Sequence, residues 1–421
     1  MPCYCLINLL FDCLFKNKPY FCDLQSSNFL FITKLSFQVM QNFQSTNIRY
    51  KSADTEDKVY RQIRERSEAY FKDNKKSKFA DTSFWAKITL TTIIAFVAYF
   101  FVLTATQYMV LVPAFVIFGM AMILISINLG HDAAHGAITG NKRIDDILFR
   151  VVFSTQGLSG YLWQIRHNHS HHVLPNVLEH DSDMELGGLI MFDPNEGMKW
   201  YHKYQYIYAP FLYQFGTLVL LVYQDYEMLE RREHGNLRFN KIPLSEWIHF
   251  FGAKIIHLTL YIGLPLYFSE LPTLYVLLAY ITMHFMVSSF MMFTFLISHH
   301  VMEVDYVESE TVDNQQLVGD AWIRHQIVTT IDFNENSRFA NFLFGGFNLH
   351  IAHHIFPEIN HTHYPALTKI VKEVLAENNL DWYKSFSFFQ GCRSHIKHLK
   401  RVTQHLKEVD IFEEEEGLLY E

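Results

Sequence analysis

Met109–Leu129 reads MVLVPAFVIFGMAMILISINL and runs without a break into Gly130-His131-Asp132-Ala133-Ala134-His135-Gly136. The first stretch carries no charge, and its only hydroxyl or amide side chains are Ser126 and Asn128. It is about the ~20 residues that a membrane-crossing helix needs. The second stretch places two imidazoles four residues apart where the apolar run ends. If the helix continues, positions i and i+4 share one face, so both rings project together just outside the bilayer.

Working outward, Phe84–Leu103 is a second apolar run, joined to the first by the uncharged connector Thr104–Tyr108. The pair predicts a tight transmembrane hairpin. Trp247–Phe268 and Leu274–Ser298 predict another, with a connector (Ser269–Pro272) that holds Glu270 and no Lys or Arg. Lys254 and His257 lie in the first of these runs. Lys254 is expected to snorkel, and His257 to join helices. Tyr206–Tyr223 is apolar and aromatic but broken by Pro210. It reads as an interfacial helix, with a true span as the alternative. Residues 55–80 read as an amphipathic helix and a polar linker.

Lys142, Arg143, Arg150, Arg166, Arg231 and Arg232 all fall between the two hairpins. The positive-inside rule then makes that segment and both ends of the chain cytosolic. The expected fold is all-α and integral to the membrane: four spans in two hairpins, with a cytosolic helical cap. Its divisions are an N-terminal extension and amphipathic segment (1–83), hairpin one (84–129), a cap segment with an interfacial helix (130–246), hairpin two (247–298) and a C-terminal cap (299–421).

Composition agrees. The chain has 38 Phe and 23 Tyr, as membrane helices with aromatic belts do. Its net charge of −8 is mild, and the acidic run Glu413–Glu416 reads as a solvated tail. No basic block points to nucleic acid. Four of the 5 cysteines fall in the first 22 residues, which excludes a disulfide framework across the chain. Residues 1–39 contain a short apolar run, Leu6–Phe15, without the flanks of a signal peptide. Met40 reads as a working start, or residues 1–39 as a poorly ordered extension.

The 23 histidines are the anomaly. They cluster as His131/His135, His167-Asn168-His169-Ser170-His171-His172, His299-His300 and His350-Ile351-Ala352-His353-His354. Each group lies beside a predicted span or in a polar segment on the cytosolic side. Alone, His131/His135 serves packing as readily as metal binding, and His299-His300 says less still. Together the groups supply more imidazoles than one tetrahedral ion accepts. They suit two metals with open positions, and imidazole suits iron, zinc, copper or nickel. Redox metals would activate dioxygen; zinc would only polarise or hydrolyse. A metal transporter would place its ionisable groups deep in the spans, and these lie at the edge. His169, His180, His284, His361 and His363 read as outer-sphere, packing or surface residues.

The motifs GHDAAHG (130–136), HNHSHH (167–172), GGL (187–189), HQIVTTIDF (325–333), GGFNLHIAHHIFP (345–357) and HTHYPAL (361–367) occur in this order. The chain thereby resembles the membrane fatty acid desaturase family over roughly residues 45–403, and most of all its front-end branch of the linoleoyl-CoA desaturase type. The resemblance implies an oxygen-dependent acyl desaturase that forms a cis double bond at a di-iron centre. Its metal ligands would be His131, His135, His167, His171, His172, His300, His350, His353 and His354, with Asn348 nearby. His300 is preferred to His299 because the family follows this histidine with an apolar pair, here Val301-Met302. The resemblance further implies an acyl substrate, as a CoA thioester or lipid-linked. Electrons would come from a separate b-type cytochrome or ferredoxin, since the sequence lacks the fused haem domain's His-Pro-Gly-Gly. The membrane would be the endoplasmic reticulum or a bacterial inner membrane. Arg166, Lys142 and Arg143 would dock a donor or carrier, or serve only as topology determinants. Trp322, His325 and Gln326 would shape the tunnel or support the metal ligands. Front-end enzymes usually carry Gln where this chain has His350, which keeps the metal site but loosens any inference about the carbon attacked. A lipid hydroxylase or sphingoid-base desaturase of the same superfamily is the competing reading.

Overall fold

The computed structural model describes residues 43–419 except 46–47, 52, 185–187, 193–197 and 313–314. The run Leu6–Phe15, Met40 and Gly187 of the GGL motif lie outside the described residues.

Strands β1 (Phe43–Ser45) and β2 (Ile48–Tyr50) lead into helix α1 (Asp54–Asp73). Next come α2 (Thr82–Thr104) and α3 (Tyr108–Ala134). Helices α4 (Lys142–Thr155) and α5 (Gly160–Arg166) precede the long α6 (His202–Arg231). The hairpin β3 (Glu233–His234) and β4 (Leu237–Phe239) leads to α7 (Leu244–Phe268) and α8 (Thr273–His299). The C-terminal part holds β5 (Ser309–Val312), β6 (Gln315–Val318), α9 (Trp322–Val328), β7 (Asp332–Phe333), α10 (Arg338–Leu343), α11 (His350–Ile355), α12 (Tyr364–Glu377), β8 (Ser385–Phe386) and α13 (Phe388–Leu419).

Among the described residues, five helices are long and apolar enough to cross a membrane: α2, α3, α6, α7 and α8. In α2 the buried residues Phe84, Lys87, Ile88, Thr91, Ala95, Ala98 and Val102 recur every three or four positions. The opposite face exposes Phe96, Val97 and Phe100. A helix whose outward face is also apolar has lipid, not water, as its solvent. Asp81 caps α2 by accepting from the Phe84 amide at 2.9 Å, a contact typically worth ~1 kcal/mol. Helices α3 and α8 pack closely, with Phe115, Phe118, Met283 and Val287 in one buried cluster.

The described residues are mainly helical, as expected, and the cap adds short strands to its helices. β4 lies between β1 and β3, and β6 between β2 and β5, with a third, two-stranded pair β7–β8. β1 runs antiparallel to β4, Phe43 opposite Phe239. β2 runs parallel to β6, Tyr50 opposite Val318. These strands have two to four residues, too few for an alternation to stand out in sequence. They clamp the N-terminal segment onto two distant parts of the cap. Helix α1 adds Val59, Ile63 and Phe71 to a core shared with Val371, Val374 and Leu375 of α12.

Candidate metal centre

The geometry starts from two departures from regular helix. Ser126–Gly130 forms a π-turn inside α3, and His131 follows directly. His131 and His135 end with ring centroids 4.9 Å apart. His167–His171 forms a second π-turn after α5, closed by the His172 amide donating to the His167 carbonyl at 2.9 Å. A π-turn aligns residues five apart, not four. His167 and His172 therefore meet, Nε2 to Nε2, at 3.0 Å. His171 is turned toward a different set of partners.

The cluster His350–His354 sits on α11, which Gly345 and Gly346 aim. Both have positive φ (59° and 89°), and a Cβ on Gly345 would lie 2.8 Å from the Ile127 carbonyl oxygen. Only glycine meets both demands.

The result is two groups of four imidazoles. His131, His135, His167 and His353 present nitrogens all within 4.8 Å of one another, and so do His171, His299, His350 and His354. His172 stands between the groups, its ring centroid 4.7 Å from that of His135 and 4.5 Å from that of His354.

Of the nine expected ligands, eight converge here and His300 does not. It turns away, stacks on Phe192 with centroids 4.0 Å apart, and pairs its Nδ1 with the Tyr306 hydroxyl at 2.8 Å. His299 takes the place in the second group, its Nε2 3.2 Å from that of His354. His300 is the cap residue after α8, with non-helical backbone (φ −121°, ψ 63°), and its ring is directed to Phe192 and Tyr306 instead. Asn348 is buried close by, and its amide is bound to Asn341.

The donor set fits metal ions. His135 and His353 leave Nε2, and His350 leaves Nδ1, buried with no hydrogen-bond partner. Buried polar atoms without partners are rare enough to need a cause, and an ion is one. Two nitrogens each ~2.1 Å from one ion lie about 3.0–3.2 Å apart at near-right angles. His131–His167, His167–His172 and His299–His354 have Nε2 pairs at 3.2, 3.0 and 3.2 Å. Burial, and then the like charge of neighbouring imidazoles, holds His135, His167, His172, His350, His353 and His354 well below the usual imidazole value. They are neutral at pH 7, the form that binds metal.

Outer partners fix which nitrogen faces inward. His171 donates from Nδ1 to Asp181 at 3.1 Å, His299 to the Thr329 carbonyl at 3.1 Å, and His354 to Gln326 Oε1 at 2.9 Å. His353 Nδ1 lies 3.2 Å from the Tyr364 hydroxyl. Burial alone would lower His171, but Asp181 and Asp183 outweigh it and raise the ring above its usual value. His325 pairs with the Pro175 carbonyl at 2.9 Å, joining α9 to the segment after HNHSHH.

Sequence reasoning missed Asp181, Thr329 and Tyr364. The acidic-imidazole run His180-Asp181-Ser182-Asp183 was the available signal for the first. His257 does bridge helices, its Nε2 3.0 Å from the Tyr280 hydroxyl. Lys254 does not snorkel. It is buried and bonds Asp225 at 3.1 Å.

Below the imidazoles lies a cavity of about 500 Å³. His131, His167, His171, His299 and His350 line it, as do Gly119, Ile123, Tyr261, Met283 and Val287 from the spans and Arg166, Asp183, Gln224 and Glu227 from the polar segments. Counted along α3 from His131 to Gly119, it reaches about 18 Å toward the middle of the helix bundle. A long apolar slot ending at an imidazole cluster suits a flexible hydrocarbon chain with one segment held at the metals.

The fatty acid desaturase family profile matches residues 106–386. The acyl-lipid (8-3)-desaturase B of Dictyostelium discoideum is 27% identical over 352 residues, covering 82% of this chain and 75% of that protein. The sn-1 linoleoyl-lipid 6-desaturase of Synechocystis sp. is 29% identical over 335 residues, covering 79% and 91%. The acyl-lipid (8-3)-desaturase of Physcomitrium patens is 28% identical over 378 residues, covering 86% and 74%.

Proposed function

This chain belongs to the fatty acid desaturase family, and we propose that its two imidazole groups hold a pair of iron ions at the head of an acyl tunnel. It is a multi-pass membrane oxidoreductase that places a double bond in a fatty acyl chain. His131, His135, His167 and His353 would hold one iron, and His171, His299, His350 and His354 the other, with His172 between them.

Four spans support this reading better than five. Helix α6 begins where Gln205 donates to the Leu399 carbonyl of α13 at 3.0 Å. It ends beside β3–β4, where the Asn236 amide donates to the His180 carbonyl at 3.0 Å. Both ends thus lie on the side of the cap, and a helix that starts and finishes on one side does not cross. Its exposed Ile207, Phe211 and Val222 suit the bilayer interface. With α6 in the interface, four remaining spans would leave residues 43–83, 130–246 and 299–419 on one side, and the Lys and Arg distribution supports the cytosolic one.

Bound iron would supply the activation of dioxygen and the removal of two hydrogens from a methylene pair. The chain's residues do the rest. Ile123, Met283 and Val287 exclude water and hold the hydrocarbon. The fixed imidazole tautomers keep the metal positions in register with one carbon pair, and orientation of this kind carries much of a rate enhancement. A b-type cytochrome or ferredoxin would supply the electrons.

The observation that carries the proposal is the opening of both imidazole groups onto one apolar cavity. Expression in a host fed a set of fatty acids, followed by lipid analysis, tests it. A new cis double bond and two irons per chain are expected. An added hydroxyl group, or two zinc and no iron from iron-replete cells, would overturn it.

A further inference from the structure

Lys87 is a cation inside an otherwise apolar helix, and such residues are costly enough to call for a function. It is buried, as are Asn128, Asp132 and His361. Its ammonium lies 2.5 Å from Asn128 Oδ1, 3.3 Å from the Phe342 carbonyl oxygen and 2.7 Å from His361 Nε2. Asn128 donates from Nδ2 to the Leu124 carbonyl at 2.7 Å, which fixes its Oδ1 toward the lysine. Three acceptors thus surround a group with three protons to donate, the complement of a charged lysine.

That arrangement settles the tautomer of His361. Nε2 accepts from Lys87, so Nδ1 carries the proton and donates to Asp132 Oδ2 at 2.7 Å. Asn360 Nδ2 and the His361 amide donate to the same oxygen at 2.8 and 3.2 Å. The other oxygen, Oδ1, faces His131 Nδ1 at 3.7 Å. The carboxylate partner of the second group, Asp181, is held differently, by the Asn176 and Asp183 amides. In the second group His171 also has Asp183 at 3.8 Å, itself bound by Arg166 at 3.2 Å, whereas the carboxylate of the first group is tied through His361 to a buried lysine.

We propose that Lys87 is a positioning residue for the metal bound by His131. Its charge, passed through the fixed imidazole of His361, holds and compensates Asp132 so that His131 keeps its inward orientation. The network joins the first span (Lys87), the second (Asn128, Asp132) and the segment opening the HTHYPAL motif (His361), which nothing else in the site explains. The inference rests on the two-iron reading.

The test is anaerobic titration of detergent-solubilised, metal-free full-length protein with ferrous iron, read by Mössbauer spectroscopy. In Lys87→Met, one of the two ions should bind about 10- to 100-fold more weakly, the usual cost of losing an outer partner, while the other is unchanged. Lys87→Arg, which keeps the charge, should restore most of that affinity. Wild-type affinity for both ions in Lys87→Met, equal weakening of both, or an equal loss in Lys87→Arg would overturn the proposal. If Lys87→Met is not recovered folded, His361→Gln and His361→Leu decide. The glutamine keeps an acceptor and a donor and should bind both ions, and the leucine should lose one; equal behaviour of the two is the contrary result. Wild-type protein that takes up no iron overturns the metal reading itself, and this inference with it.

Discussion

Asp181 accepts from His171 Nδ1 at 3.1 Å, and both side chains are buried. The carboxylate also takes the Asn176 and Asp183 amides at 2.9 Å each, so it cannot rotate away. His171 is thereby locked with Nε2 toward His299, His350 and His354. Asp181→Asn keeps the size but loses the charge and one acceptor. Product formation should fall about 10- to 100-fold while the protein still inserts. Lipid analysis and immunodetection of membrane fractions check this, and wild-type product levels would remove Asp181 from the site.

His299 and His300 should separate cleanly. His299→Ala removes a nitrogen from the second group and should abolish desaturation and lower iron content. His300→Phe keeps the stacked ring against Phe192 and loses the bond to Tyr306, so substantial activity should remain. Iron content and product yield of the two variants decide; the reverse pattern would return the ligand role to His300.

The spans and most of the site were legible because both rest on local pattern. Apolar runs are unmistakable, and histidine clusters at their ends announce metal chemistry. The choice between His299 and His300 was not legible, since it depends on the rotation of α8 at its last turn. Nor was the division of HNHSHH (167–172) between the two groups. Its spacing pairs His167 with His171 on a regular helix, whereas the π-turn pairs His167 with His172 and sends His171 to the other group. For α6 the sequence offered both an interfacial helix and a span, and the bonds that favour the first, Gln205 to Leu399 and Asn236 to His180, join residues that no sequence window holds together. Lys87 reads as a lone charge in a span until folding brings His361 to it.

Two buried histidines outside the metal groups make stability depend on pH. Burial lowers His325 to about 4 and His395 to about 4, although bonds to the Pro175 and His300 carbonyls work against it. The unfolded chain takes up these protons near pH 6.5, and the folded chain does not until about pH 4. Between those values the unfolded state binds more protons, so stability falls as the solution is acidified. Each group contributes on the order of 1.4 kcal/mol per pH unit within that window. Thermal unfolding in detergent should show Tm dropping between pH 7 and pH 5, less steeply in His395→Gln. A flat profile in the wild type would contradict the burial of both rings.

Gly119 offers a test of the tunnel that leaves the metals alone. It sits where α3 and α8 meet, and a Cβ there would lie 2.4 Å from Met283 Cγ, 2.7 Å from its Sδ and 3.1 Å from Val287 Cγ2. Methionine is flexible enough to move, and all three residues line the cavity, so the displaced side chain has room only in the tunnel. Gly119→Leu should therefore fill the deep end and shorten the hydrocarbon that fits. Each methylene excluded forfeits about 0.8 kcal/mol of burial, or roughly fourfold in kcat/KM. The variant should bind iron as the wild type does, lose its longest substrates first and retain the shorter ones. Feeding a graded series of acyl lengths and comparing product ratios measures this. A wild-type length profile in Gly119→Leu would mean that the acyl chain lies elsewhere. A uniform loss at every length would mean that helix packing, not tunnel depth, had been disturbed.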